Sequence, residues 1–140
     1  MDIQFINTEE WGIDEKVFKP VVDRLKKHLP KTKGDLNVIF VDDTKIHRLN
    51  KAYRHKDQPT DVLSFSYLDR LDPSTAPTIG EVFISVPRAK EQAPLYKNSL
   101  NQELEKLIVH GVLHIFGYDH ETDKDYLKMS AMEERILGGF

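Results

Sequence analysis

The sequence predicts a single α+β domain, residues 1–140, in which a sheet packs against helices. Three observations carry this. Strand-like alternation and helix-like periodicity follow one another along the chain with no interior linker, internal repeat or low-complexity segment between them. A length of 140 residues suits one domain with a core that needs no covalent staples. Finally, residues 107–120, LIVHGVLHIFGYDH, form an apolar run that holds three of the six histidines and stops at a glycine.

The elements follow in order. Residues 2–7 alternate, with Ile3 and Phe5 on one side, as a short strand. Asp14 is expected to cap a helix carrying Val17, Val21, Val22, Leu25 and Leu29 at helical spacing. Pro20 should kink that helix or delay its start, and Arg24, Lys26 and Lys27 form its solvated outer face. Gly34 turns the chain into a strand over Asp35–Val41, where Leu36, Val38 and Phe40 alternate. Asp43 is expected to cap a second helix, running to about Tyr53 and burying Ile46, Leu49 and Tyr53.

Residues 62–65 read as an apolar strand, 66–79 with Pro73 and Pro77 as a surface loop, and 80–85 as another strand. Ser85 can cap a helix with Pro87 in its first turn, reaching about Tyr96 and disturbed by Pro94. Ser99 with Gln102 makes a capping box that opens the histidine helix. Asp119 or Thr122 starts a last helix, with Tyr126, Met129, Met132 and Ile136 inward and Gly138 and Gly139 at its close.

The histidine spacing is the strongest chemical signal. His110 and His114 are four residues apart, so on a helix they share a face, separated by roughly 40° and about 6 Å of rise. Gly117 tolerates the left-handed backbone that ends a helix, and His120, three residues on, can return over the same face. With no cysteine in the chain, His110, His114 and His120 are the candidate ligands of one metal ion, Zn2+ first among them. Three protein ligands leave a fourth position open, the arrangement of catalytic rather than structural zinc. Zinc peptidases with this histidine spacing place a glutamate base directly after the first histidine; here that position is Gly111, which disfavours peptide hydrolysis.

Composition sets broader limits. Hydrophobic residues make up 39% and charged residues 31%, as in ordinary soluble proteins. A net charge of −3 argues against wholesale coating of nucleic acid but leaves room for a local basic patch. No cysteine means no disulfide framework. The opening MDIQFINTEE lacks a basic leader, and the longest apolar run falls short of the ~20 residues that span a bilayer, so a cytoplasmic protein without a membrane partner is expected.

Such a patch exists in KIHRLNKAYRHK, residues 45–56, with Lys45, Arg48, Lys51, Arg54 and Lys56 and no acid. It reads either as a solvated helix face or as a phosphate-binding surface, since arginine presents a planar fork of donors to phosphate oxygens. In the turn and strand that follow, Thr60, Asp61 and Ser64 are candidates for orienting a ligand or Arg54. His28, His47 and His55 read as solvated, with His55 a weak phosphate contact, and Met129 and Met132 as core. One of Asp119, Glu121 and Asp123 is expected to orient a ligand imidazole.

Together, HGVLHIFGYDH, NKAYRHKDQPTDVLSF and GEVFIS resemble, in the expected order, the YbeY family of bacterial rRNA maturation factors. The resemblance implies a mostly parallel sheet with a cleft above the metal. It also implies a metal-dependent, single-strand-directed endoribonuclease of small-subunit (16S) rRNA 3′-end maturation and ribosome quality control. Its partners would be single-stranded rRNA and the ribosomal small subunit or its assembly proteins, with no DNA. It carries zinc ligation to His110, His114 and His120 and a functional role to Arg54, which makes Arg54 and His110 the candidate catalytic residues. One departure stands out: Ser66 follows Phe65 where the family often has proline. Two other readings of the same residues are a non-catalytic, zinc-stabilised ribosome-assembly factor and a metallopeptidase-like hydrolase.

Overall fold

Alternation along the strands decides which helix each face of the sheet meets. The computed structural model describes residues 1–70 and 77–138; Pro73 and Gly139 lie outside the described residues. Four strands, β1 (Asp2–Ile6), β2 (Asp35–Val41), β3 (Val62–Ser66) and β4 (Thr78–Ser85), form one sheet in the order β1-β2-β4-β3. β1, β2 and β4 run parallel, and β3 alone is antiparallel, hydrogen-bonded to β4 at the edge. The sheet is therefore mixed and mostly parallel, in an α+β architecture, as expected.

Leu36, Val38 and Phe40 of β2 and Val82 and Ile84 of β4 bury one face, under helices α1 (Lys19–His28) and α4 (Leu100–Ile115), with α5 (Asp123–Gly138) packed across both. Ile39, Val41, Leu63, Phe65 and Phe83 form the other face, smaller, against Ile46 and Leu49 of α2 (Asp43–Arg54). Each fully buried Leu, Ile or Phe here contributes about 1.5–3 kcal/mol. A short helix, α3 (Val86–Gln92), leads from the end of β4 towards α4.

The start of α4 follows its sequence closely. Ser99 Oγ accepts from the Gln102 N–H at 3.1 Å, and Gln102 Oε1 accepts from the Ser99 N–H at 2.8 Å. Ser85 caps α3 as expected, accepting from the Arg88 N–H, and Pro94 begins the 3-10 turn that follows α3.

Other expectations are corrected. Asp14 caps a 3-10 turn, Glu15–Phe18, rather than the helix itself; Pro20, which lacks an N–H and fits the first helical turn, delays the start of α1 to Lys19, as expected. The tighter turn changes the phase, leaving Val17 exposed and putting Phe18 in the core. Asp42, not Asp43, caps α2: its backbone is still extended, and its carboxylate accepts from the Lys45 N–H at 2.7 Å. Asp43 instead accepts the Ser85 hydroxyl at 2.6 Å and pairs with Arg88 at 3.5 Å. Tyr53 and Tyr126 are exposed rather than buried: Tyr53 touches Phe65 at the sheet edge but stays open to solvent, and Tyr126 sits in the first turn of α5. Arg24 is more than a solvated cation, for its Nε donates to the Ile136 carbonyl and ties α1 to α5.

Candidate metal centre and adjoining cleft

One turn of α4 brings His110 and His114 together, with their Nε2 atoms 3.2 Å apart. Gly117, at φ +93°, ends the helix, and the Tyr118 N–H returns to the Leu113 carbonyl at 3.1 Å. That reversal carries His120 back over the pair. Its ring centroid lies 5.8 Å from that of His110 and 5.2 Å from that of His114, and the three candidate ligand atoms all fall within 4.8 Å of one another. Two nitrogens held ~2.0–2.1 Å from one tetrahedral zinc ion would stand about 3.3 Å apart, so the 3.2 Å spacing fits a shared ion. Imidazole donors suit zinc, copper, iron and nickel alike, so the donor set admits a transition metal without choosing one.

Electrostatics favour the ligating form. Burial pushes the His114 pKa below the ordinary value, the His110 and His120 rings push it further, and Asp119 and Glu133 only partly oppose them. The neutral imidazole that results is the form that binds metal.

The acid beside a candidate ligand ring comes from an unexpected element. Glu133 of α5 places Oε1 3.6 Å from His110 Nδ1, the side of the ring turned away from His114. Asp119 serves the turn instead, its carboxylate accepting from the His120 N–H at 2.6 Å. Asp123 opens α5, and Glu121 lines the cleft described next. The sequence held a signal for Glu133: it lies four residues after Met129 and three before Ile136, a charged residue on the inward stripe of α5.

A cleft of about 710 Å³ opens beside the histidines. Arg54, Lys56, Thr60, Asp61 and Ser64 line its opposite wall, so the structure brings the second sequence constellation to the first. Arg54 is exposed yet tethered: Nη2 donates to the Ser64 carbonyl at 2.6 Å, and the guanidinium sits 5.2 Å from the centroid of the Phe65 ring. Two serines then bind the strand to the histidine helix. Ser64 Oγ donates to the Gly111 carbonyl at 3.0 Å, and Ser66 Oγ to the Ile115 carbonyl at 2.9 Å, in the last turn of α4, where carbonyls lack helical partners. Ser66, where the resemblance led one to expect proline, thus braces the histidine helix directly. Asp61 is drawn to α3, accepting from Gln92 at 3.2 Å.

Along α2, Lys45, Arg48 and Lys51 are exposed. His47 is paired rather than simply solvated, 2.7 Å from Asp57, and with Lys51 it holds the Asp57 pKa below the usual carboxylate range. His55 ends α2 in a left-handed conformation at φ +58°.

A family model described as Endoribonuclease YbeY matches residues 4–140. The chain belongs to the YbeY family. A relative named Endoribonuclease YbeY from Geobacillus thermodenitrificans (strain NG80-2) is 44% identical over 114 residues, 76% of this chain and 73% of its own. Another of that name, from Acholeplasma laidlawii (strain PG-8A), is 37% identical over 98% of this chain and 95% of its own. The fold is similar to the solution structure of TM1509 from Thermotoga maritima, with a TM-score of 0.62 at 27% identity, covering 98% of this chain and 90% of that one. Among the described residues, no helix is long and apolar enough to cross a membrane.

Proposed function

We propose that this chain is a cytoplasmic, zinc-dependent endoribonuclease that cleaves single-stranded RNA. Its substrate in this reading is small-subunit (16S) rRNA at the 3′ end, in maturation and quality control, and its partners are the small subunit or its assembly proteins. The single observation that carries the proposal is the convergence of the three-histidine cluster and a tethered arginine on one cleft, in a chain of the YbeY family.

His110, His114 and His120 would hold the zinc, with Glu133 orienting the His110 ring. The bound ion would supply Lewis acidity towards a phosphoryl oxygen. Arg54 binds the phosphate and neutralises charge that develops on it. Its grip on the Ser64 carbonyl and the Phe65 ring limits the rotamers it must give up when phosphate arrives. The peptidase alternative loses further ground at position 111: a Cβ there would stand 2.5 Å from Val82 Cγ1, so the glutamate base of the peptidases has no room.

Cleavage of an end-labelled single-stranded RNA by zinc-loaded protein tests the proposal. Wild type is expected to cut it, His114→Ala and Arg54→Ala to cut it far less, and a duplex of the same sequence to survive. A 2′,3′-cyclic phosphate end would assign attack to the ribose hydroxyl, and a 5′-phosphate end to water. Salt-sensitive binding with no cleavage by the zinc-loaded wild type would instead favour the non-catalytic assembly factor.

A further inference from the structure

On the sheet face opposite the histidines, a second and smaller pocket of about 200 Å³ lies between α2 and the β3–β4 edge. Its walls are Leu49 and Tyr53 of α2, Phe65 of β3, Phe83 of β4 and Tyr67, with Glu81 of β4 as the one carboxylate. Four aromatic rings thus surround one acid. Tyr53 and Phe83 both meet Phe65 edge-on, at centroid distances of 5.5 and 5.9 Å and interplanar angles of 75° and 81°. Tyr53 is 64% exposed, so this ring stands at the mouth of the pocket rather than in the core. Tyr67 donates its hydroxyl to Glu81 Oε1 at 2.5 Å, which orients the carboxylate.

We propose that this pocket is a nucleobase subsite, taking one amino-bearing base of the RNA strand whose phosphate lies at Arg54. The inference rests on the RNA-cleaving reading and deepens it. Three features point to this occupant. The first is continuity: Arg54 lines the metal cleft and also lies over Phe65, a wall of the pocket, so a strand held at Arg54 has a base within reach of it. The second is charge, because Lys45 is exposed and lies four residues before Leu49, so it sets a cation on the same side of α2 as the pocket wall.

Chemistry of the lining is the third. Aromatic faces stack on any base at about 1–3 kcal/mol each, and unpaired bases are what single-stranded RNA offers. A carboxylate accepts several hydrogen bonds and donates none, so it suits the amino groups of cytosine, adenine or guanine. Uracil offers a carboxylate one N3–H flanked by two repelling carbonyl oxygens, so it is disfavoured. At about 200 Å³ the pocket is below the ~300–1,000 Å³ of sites for drug-sized ligands and on the scale of one base.

Binding of labelled hexacytidylate, hexaadenylate and hexauridylate, made cleavage-resistant by 2′-O-methyl phosphorothioate linkages, to the zinc-loaded full chain tests this, by fluorescence anisotropy at one low salt concentration. Wild type should bind the cytidine and adenosine oligomers about 5–10-fold more tightly than the uridine oligomer. Glu81→Gln gains an amide donor that can meet a uracil carbonyl, so it should erase that preference while still binding RNA. Tyr53→Ala, at an exposed position, should weaken all three oligomers by about 5-fold or more with its zinc content and melting temperature kept. Equal binding of the three oligomers by wild type, unchanged in both variants, overturns the subsite and leaves the RNA reading standing. No binding of any oligomer by wild type overturns both, and the loss in the Arg54→Ala control tells a real RNA signal from a nonspecific one.

Discussion

Arg54 and Gly111 are joined through one residue: Arg54 donates to the Ser64 carbonyl at 2.6 Å, and the Ser64 hydroxyl donates to the Gly111 carbonyl at 3.0 Å. The Arg54 guanidinium is thereby held in register with the turn of α4 that carries His110 and His114. Lysine cannot reproduce a planar fork that stacks on Phe65 and reaches Ser64 together. Arg54→Lys should therefore behave much like Arg54→Ala, each lowering the cleavage rate by about 10²-fold, the usual loss for one transition-state donor. Rates on single-stranded RNA, with zinc content checked in parallel, measure it. Full activity in Arg54→Lys would show that charge alone suffices there.

Gly111 is needed for packing. A Cβ at this position would stand 2.5 Å from Val82 Cγ1 and 3.1 Å from Ser64 Oγ, both on the sheet beneath. The gain in helix propensity over glycine, up to about 1 kcal/mol, is smaller than the cost of overpacking and of a buried carboxylate in Gly111→Glu. That variant should lose about 2–4 kcal/mol and melt roughly 5–12 °C lower, with no peptide hydrolysis acquired. Thermal unfolding and a peptide-cleavage assay check both parts.

The three-histidine cluster was legible because its information is local: spacing of four on a helix, then a glycine, then a third histidine. Strand centres were legible from alternation, although Ser66, Thr78 and Ile79, read as loop, belong to β3 and β4; the Ser99–Gln102 box was legible from its two residues. Glu133 was not, for it reaches His110 only through the packing of α5 on α4, which no local pattern specifies. The serine latches were hidden for the same reason. Ser64 and Ser66 look like turn or strand-end residues until β3 is set against α4, where a spacing of two along a strand matches four along a helix. Tyr53 misled by fitting the apolar stripe of α2 while standing at the edge of the sheet.

Glu133 should act through His110. Carboxylates that orient a ligand imidazole typically affect metal affinity by about 10–100-fold. Glu133→Gln should weaken zinc binding by about 10-fold without unfolding the protein, since the residue is only partly buried. Competition with a chromogenic chelator measures the change. An unaltered affinity would mean that the 3.6 Å approach has no consequence for the metal.

Below α3, Glu103 links stability to pH. Its side chain is fully buried, yet Gln92 donates to it at 2.8 Å, Asn98 at 3.0 Å, and Lys106 lies at 2.9 Å. Burial alone pushes its pKa up, but the hydrogen bonds and the Lys106 charge together outweigh burial and bring it below the ordinary 4.5. A depressed carboxylate pKa stabilises the fold fully above the unfolded value, and that contribution is lost as pH falls through the folded value. Glu103→Ala should cost about 2–4 kcal/mol at pH 7, and its deficit relative to wild type should shrink below about pH 4.5. Denaturant unfolding at pH 7 and pH 4 reads both numbers, and a deficit that grew on acidification would contradict this charge assignment.

His114 gives a pH dependence of the same sign in a different range. Burial, reinforced by the neighbouring His110 and His120 rings, lowers its pKa from 6.5, so the folded chain favours the neutral ring. Below about pH 6.5 the unfolded chain takes up the proton more readily, and metal-free stability falls as pH drops towards the folded pKa. Zinc sharpens the trend, because it binds the neutral ring and a ligand at 100 times its dissociation constant adds about 2.7 kcal/mol. The zinc-loaded protein should therefore melt well above the chelator-treated one at pH 7.5, and the gap should narrow by pH 5.5. In His114→Ala the zinc-dependent gap should be largely lost at both pH values, and the metal-free variant should lack His114's share of the acid-side decline. Melting curves with and without chelator at the two pH values measure all of this, and a zinc effect of equal size in His114→Ala would remove His114 from the ligand set.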